Sequence, residues 1–223
     1  MNCNGYLNFY ILIEFRTNLK KLKFKSNNKL TRDFYLGNDV VQLARSVLGK
    51  ILHTNIGDHY TAGKIVEVEA YCGATDRACH AFPDKRTKRT ETMYMQGGTA
   101  YVYLVYGMHH LFNIVTNFAG RADAVLVRAI EPIAGLAIMK QRRNLEVGNK
   151  LLTGGPGRLT QALGLTISDD KADLLGDNVW LSPGEIVPGS RIIATPRIGV
   201  DYAGEDAALP WRFYIRDNKY VSK

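Results

Sequence analysis

The chain holds little cysteine: three residues in 223, an odd number. That excludes a disulfide-scaffolded secreted domain and points to a reducing compartment. Long hydrophobic runs are also missing. Residues 5–15 are apolar and aromatic, but eleven residues are too few to cross a bilayer. No positive residue precedes them and no small-residue cleavage site follows, so they do not read as a signal peptide. The expectation is a soluble intracellular protein without a membrane partner, in the cytoplasm or nucleoid of a prokaryote or the nucleus of a eukaryote. Familiar catalytic signatures are absent: there is no G-x-S-x-G, no H-E-x-x-H and no EF-hand loop. No internal repeat is visible. Cys72, Cys79 and His80 follow a C-x6-C-H spacing that matches no established zinc pattern, and a fourth ligand is not evident. Neither a metal nor an organic cofactor is expected.

Acidic residues are outnumbered. The formal net charge is +8 and the isoelectric point is near 9.4, which favours a polyanionic partner. The excess is uneven. Residues 1–32 contain seven lysines and arginines against one acid, Glu14, so the excess lies chiefly in an N-terminal arm. Residues 1–30 are therefore read as a basic, flexible extension, with the compact fold beginning near Thr31. Smaller basic clusters remain at Lys85, Arg86, Lys88 and Arg89, and at Lys140, Arg142 and Arg143.

Two stretches carry most of the information. In Val66-Glu67-Val68-Glu69-Ala70-Tyr71, strand alternation puts Glu67, Glu69 and Tyr71 on one face and Val66, Val68 and Ala70 on the other. An isolated strand glutamate is ordinarily solvated, and the strand reads as half-buried. Carboxylates set among Tyr71, His80, Tyr101 and Tyr103, with Arg128 after the apolar Val125–Val127, suggest instead a site that activates water beside rings able to hold a flat ligand. Arg128 is equally compatible with a structural ion pair. The second stretch, Tyr101 to Met108, alternates as well and reaches a turn at Tyr106-Gly107 before the apolar run Leu111–Val115. It reads as a hairpin with Tyr106 near its tip.

The remaining elements follow from local signals. Asp39 caps a helix that stops at Gly49. Strands at about 50–56 and 61–71 meet around Gly57-Asp58, and residues 72–98 are loop-rich. Pro132 is expected to open a helix through about Asn144. Gly154-Gly155-Pro156-Gly157 turns into a short helix ending at Leu163-Gly164, without the Lys-Ser/Thr of a P-loop. Short strands are expected around Trp180, at 186–195 and at 211–216. Strands and helices alternate without a βαβ rhythm. The fold class is α+β: one mixed domain over 31–223, with a curved, largely antiparallel sheet, surrounding helices and a protruding hairpin.

The segments LARSVLGKIL, GKIVEVEAYCG, the pair His80-Ala81, GTAYVYLVYGMHHLFNIV, VLVRAIEP, GGPGRLTQALGL, RIGV and WRFYIRD run in one order from about Thr31 to Ser222. In this set the chain resembles the alkyladenine (3-methyladenine) DNA glycosylases, the monofunctional enzymes of base-excision repair. The resemblance implies that Glu69 is the general base and Glu67 a supporting neighbour. It implies that Arg128, with the backbone carbonyl near Ile198, holds the attacking water. Tyr71, His80 and Tyr103 would wall the flipped-base pocket, and Asn113 would screen purines at their 2-position. Tyr106, with Met108 beside it, would enter the minor groove, and Arg158 would lie near the DNA backbone. Two departures bear on substrate range and DNA affinity: Lys88 stands where the family often has proline, and His110 where it has an aromatic or apolar residue. The implied partner is double-stranded DNA containing damaged purines, bound by a monomer. A non-catalytic nucleic-acid-binding module and a nucleoside hydrolase are the rival readings. Glu69 with Arg128 speaks against the first, and a wedge at Tyr106 against the second.

Overall fold

The computed structural model describes residues 28–145 and 150–222, so most of the expected basic extension lies outside the described residues. Its last residues are tied down: the Leu30 N–H donates to Leu181, and Lys29 bonds Asp177 and two carbonyls. Helix α1 (Val40–Val47) starts where Asp39 accepts N–H bonds from Val41 and Gln42. Its stripe of Val40, Leu43, Ala44 and Val47 is buried against the sheet. Each large aliphatic side chain so buried contributes about 1.5–3 kcal/mol.

Strands β1 (Ile51–Ile56) and β2 (His59–Cys72) follow, then β3 (Ala100–Val105), β4 (His109–Thr116) and β5 (Asp123–Ala134). Helix α2 (Leu136–Arg143) and helix α3 (Pro156–Leu163) precede β6 (Val179–Ser182), β7 (Ile192–Thr195) and β8 (Arg212–Ile215). The strands form one curved antiparallel sheet in the order β3-β4-β5-β2-β1-β6, with β8 joining β2 to β7. β2 is long enough to fork. Its first half pairs with β1, and Glu67–Glu69 pair with β8 on the same edge, while β5 runs along the other.

Two expectations are corrected. Pro132 does not open a helix; it lies in β5 opposite Gly63. β4 pairs with β5 only at Asp123–Leu126 and residues 153–155 bond it at Arg128–Ile130, so Pro132 lies past the last of these partners, where a residue without an N–H is tolerated. The helix begins instead after Gly135, whose φ of 75° breaks the strand. The strand expected at 186–195 is confined to Ile192–Thr195, because Pro188 leads into a single 3-10 turn over Gly189–Arg191.

The sheet separates two chemistries. One face carries Val66, Val68, Ala70, Val125, Val127, Val102, Phe112 and Ile114 into the main core with α1 and α3. Over the other face, the 73–98 segment folds back and buries Cys79, Ala81, Met93 and Tyr94 against Tyr101 and Ala124. That second layer is incomplete, and the gap is the cavity described next.

Candidate active site

The cavity has a volume of about 880 Å³. Its floor is the sheet: Glu69 and Tyr71 from β2, Ala124, Leu126 and Arg128 from β5, Asn113 from β4, and Tyr101 and Tyr103 from β3. Register explains the grouping. Glu69 stands opposite Leu126, Tyr71 opposite Ala124 and Asn113 opposite both Tyr101 and Leu126, and residues directly opposite share a face.

The expectation of solvated carboxylates on a half-buried strand does not hold. Glu67 and Glu69 are both fully buried, and the strand is covered on both faces from Ile65 to Ala70. A β-bulge makes this possible. Glu67 pairs with Ala129 and Val68 with Val127, so Arg128 is the residue skipped in the register. Bulges re-aim side chains, and this one lets Arg128 serve both carboxylates. Its Nε is 3.0 Å from Glu67 Oε1 and its Nη1 is 3.1 Å from Glu69 Oε1. Burial alone lowers the guanidinium pKa, but the charges of Glu69 and Glu67 more than compensate and raise it.

The two glutamates have different surroundings. Glu67 Oε1 also accepts from Arg212 Nε at 2.7 Å and the Ser222 hydroxyl at 2.8 Å, while Oε2 accepts the Ser222 N–H at 2.6 Å. Glu67 does not line the cavity; it ties the C-terminal segment to the sheet. Glu69 does line it. Glu69 Oε1 accepts the Ile198 N–H at 2.8 Å and is ion-paired with Arg128 Nη1, and Oε2 accepts the Tyr71 hydroxyl at 2.8 Å. Two hydrogen bonds and an ion pair fix the direction of this carboxylate, and the second lone pair of Oε2 has no partner among these groups. At Ile198 it is the N–H, not the carbonyl, that is bonded here.

Aromatic rings wall the space. Tyr101 and Tyr103 lie 5.1 Å apart, and His80 meets Tyr103 edge-on at 4.7 Å. His80 is exposed at the rim, with Nδ1 3.3 Å from the Tyr101 hydroxyl and Nε2 3.3 Å from Arg89. Arginine can only donate, so Nε2 is the acceptor and the proton sits on Nδ1. Desolvation of its inward-facing part, then the charge of Arg89, lowers the His80 pKa below its ordinary value, and the ring is neutral at pH 7. Burial pushes the Tyr71 phenol well above its ordinary value, with Glu69 adding to the rise, and pushes Tyr101 up to about 12. These hydroxyls are donors throughout the working range. The Asn113 side-chain amide donates to the Tyr101 carbonyl at 3.1 Å.

The hairpin of β3 and β4 borders the cavity. Val105 stands opposite His109, which leaves Tyr106, Gly107 and Met108 as the loop. Tyr106 is 89 % exposed and takes a φ of 52°, a left-handed backbone uncommon for a large side chain. A tip that holds an apolar ring out into water at such a conformation points to use of the ring. Met108 is 68 % exposed beside it. The hairpin is braced by α3 next to its tip: the Thr160 hydroxyl donates to the His110 carbonyl at 2.7 Å, and His109 packs over Gly157. Arg158 is exposed at the cavity edge, with Arg143 close by.

The structure thus gathers Glu69, Tyr71, His80, Tyr101, Tyr103, Tyr106, Asn113, Arg128, Arg158 and Ile198 around one cavity, while Glu67 lies away from it and Met108 sits on the adjoining tip. Sequence reasoning missed several others. Arg89 lies over the Tyr103 ring at 5.4 Å, and Tyr202 lines the rim with its hydroxyl on the Ala78 carbonyl. Arg212 and Ser222 hold Glu67, and Arg197 is packed behind Tyr71. Arg197 and Arg212 lie inside the RIGV and WRFYIRD segments, but nothing local marks them, because their partners are more than a hundred residues away. Among the described residues, no group of three or more His, Cys, Asp or Glu side chains is placed to hold a metal ion. None of the described helices is long and apolar enough to cross a membrane.

A buried, oriented carboxylate beneath aromatic walls, next to an exposed ring on a hairpin tip, is an arrangement suited to a hydrolase of the N-glycosyl bond. Residues 33–219 match the methylpurine-DNA glycosylase family. A protein of Myxococcus xanthus is 47 % identical over 88 % of this chain and 94 % of its own length. Relatives from Chlamydia felis and Natranaerobius thermophilus are 46 % and 43 % identical, over 85 % and 87 % of this chain and 97 % and 98 % of theirs. All three carry the provisional name 3-methyladenine DNA glycosylase. The chain belongs to the methylpurine-DNA glycosylase family.

Proposed function

We propose that the chain flips a damaged purine nucleotide out of double-stranded DNA, holds the base in the aromatic cavity and hydrolyses its N-glycosyl bond, leaving an abasic site for base-excision repair. The substrates are alkylated purines of the 3-methyladenine type, as the names of the relatives suggest, with hypoxanthine and ethenoadenine as neutral substrates. One observation carries the reading: Glu69 is aimed by Tyr71, Ile198 and Arg128 at the floor of the aromatic cavity.

A base inside a duplex cannot be hydrolysed in place, and extrusion costs a few kcal/mol. Tyr106 fills the vacated stack and offsets part of that cost, with Met108 beside it and Arg158 near the phosphates. The base enters between Tyr71, His80 and Tyr103, and Asn113 screens its 2-position. Bases alkylated at N3 or N7 are cationic, and tyrosine faces attract such cations by roughly 0.5–2 kcal/mol. The glycosidic bond breaks through an oxocarbenium-like sugar. The Glu69 carboxylate stabilises that charge and takes a proton from the attacking water, which the second lone pair of Oε2 can receive. Arg128 keeps Glu69 pointed. No lysine lines the cavity among the described residues, which supports a monofunctional reaction without a Schiff base. The enzyme works as a monomer.

The test is a panel of duplexes carrying 3-methyladenine, 7-methylguanine, hypoxanthine or ethenoadenine. Free base and an alkali-labile abasic site are expected with at least one of the alkylated purines. Release from none, or strand cutting without alkali, would remove the reading.

A further inference from the structure

Arg197 is a buried charged residue with no part in the reaction just described. Its side chain has no solvent exposure, and neither has that of Asp76, its partner. Nη1 donates to Asp76 Oδ2 at 2.5 Å and to the Ala70 carbonyl at 2.9 Å. Nη2 donates to Asp76 Oδ1 at 2.7 Å and to the Asp206 carbonyl at 3.2 Å. The guanidinium plane lies between two rings, 4.8 Å from the Tyr71 centroid and 5.2 Å from that of Trp211.

The placement of these contacts matters more than their number. Ala70 and Tyr71 are the two residues after Glu69, and Ile198 follows Arg197 itself. Two of the three groups that hold Glu69, the Tyr71 hydroxyl and the Ile198 N–H, are therefore carried by residues that Arg197 holds. The third, Arg128, arrives independently from β5. A buried ion pair is a poor way to gain stability, because desolvation of the two charges offsets most of their attraction. It is a good way to fix geometry, since a planar five-donor fork bonded to a carboxylate and two carbonyls and sandwiched by rings has little freedom.

We infer that Arg197, held by Asp76, is a positioning residue that locks the Tyr71 ring and the Ile198 amide onto Glu69. Arg197 does not line the cavity; it fixes the angle at which Glu69 meets the attacking water and the rear wall of the base pocket. The inference rests on the excision chemistry proposed above.

The test is single-turnover excision by R197K, with enzyme titrated against a duplex whose lesion the parent enzyme excises. Lysine keeps the charge but loses the fork and the stacking plane. The expected result is a split: the maximal rate falls by about 10- to 100-fold, the range of a displacement of up to about 1 Å at a catalytic group, while the half-saturating enzyme concentration stays within a few-fold. The coupling to Tyr71 is the second readout. In Y71F the hydroxyl that Arg197 positions is already gone, so R197K should cost less in that background than in the parent. A folded R197K with the parent maximal rate, or equal losses in both backgrounds, would overturn the inference. If R197K does not fold, W211L decides by removing only the outer ring of the sandwich. A lower maximal rate at unchanged half-saturation is then expected, and an unchanged maximal rate overturns the inference. Failure of the parent enzyme to excise any lesion would instead defeat the proposed function.

Discussion

At the residue scale, two neighbouring glutamates of one strand are given different work by what donates to them. Glu67 accepts from Arg128, Arg212 and both groups of Ser222, and lies away from the cavity. Removing its charge leaves the buried Arg128 and the half-buried Arg212 short of a partner, and breaking such a buried pair costs about 3–5 kcal/mol. Glu67→Gln should therefore lower the unfolding free energy by that order, as read from urea denaturation. A cost under about 1 kcal/mol, within the range of ordinary surface substitutions and weak pairs, would show that the Glu67 cluster does not secure the C-terminal segment. The sequence pattern told which face the glutamates share, because alternation is a backbone property. It could not tell their burial or their division of labour. Those depend on the bulge at Arg128 and on donors from residues 198, 212 and 222, none of which leaves a local trace.

At the element scale, the hairpin was legible and the Pro132 segment was not. Tyr106-Gly107 between two alternating runs is a turn on local chemistry alone, and the strands meet in the expected place. Pro132 is tolerated in a strand because it lies past the last partners of that edge of β5, at Arg128–Ile130, a fact of the sheet and not of the segment. The hairpin tip carries its own prediction. Base–aromatic stacking is worth about 1–3 kcal/mol, so Tyr106→Ser should reduce the flipped fraction by roughly 5- to 150-fold if the whole loss falls on that step. The rate should drop more for a lesion in a stable base pair than for one opposite a mismatch, where extrusion is already easy. Single-turnover rates on the two duplexes distinguish the roles, since a Tyr103→Ala pocket change should hurt both alike. Equal loss in both duplexes for Tyr106→Ser would place the ring outside the stack.

At the scale of the whole molecule, stability should depend on pH through a histidine far from the cavity. His53 is buried on β1 against Trp180, with its ring nitrogens bonded to Tyr60 and Ser182. Burial lowers its pKa to about 4 from an ordinary 6.5. The unfolded chain binds the proton first, so the stabilisation is complete above pH 6.5 and is lost as pH falls towards 4. Between pH 7.5 and 5 this one group should withdraw about 2 kcal/mol of unfolding free energy. His53→Gln should flatten the pH dependence by that amount in urea titrations at the two pH values. An unchanged slope would mean that the ring is not held neutral. Excision assays at low pH must allow for this loss of folded protein.

The central claim is that Glu69 is the group that activates water. Glu69→Gln keeps the shape and removes the basicity. Binding to a lesion-containing duplex and single-turnover excision of the same lesion, measured side by side, test it most directly. Binding should stay within a few-fold of the parent while excision falls by about 100-fold or more, the contribution expected of a positioned general base. A Glu69→Gln protein that excises at close to the parent rate would contradict the account.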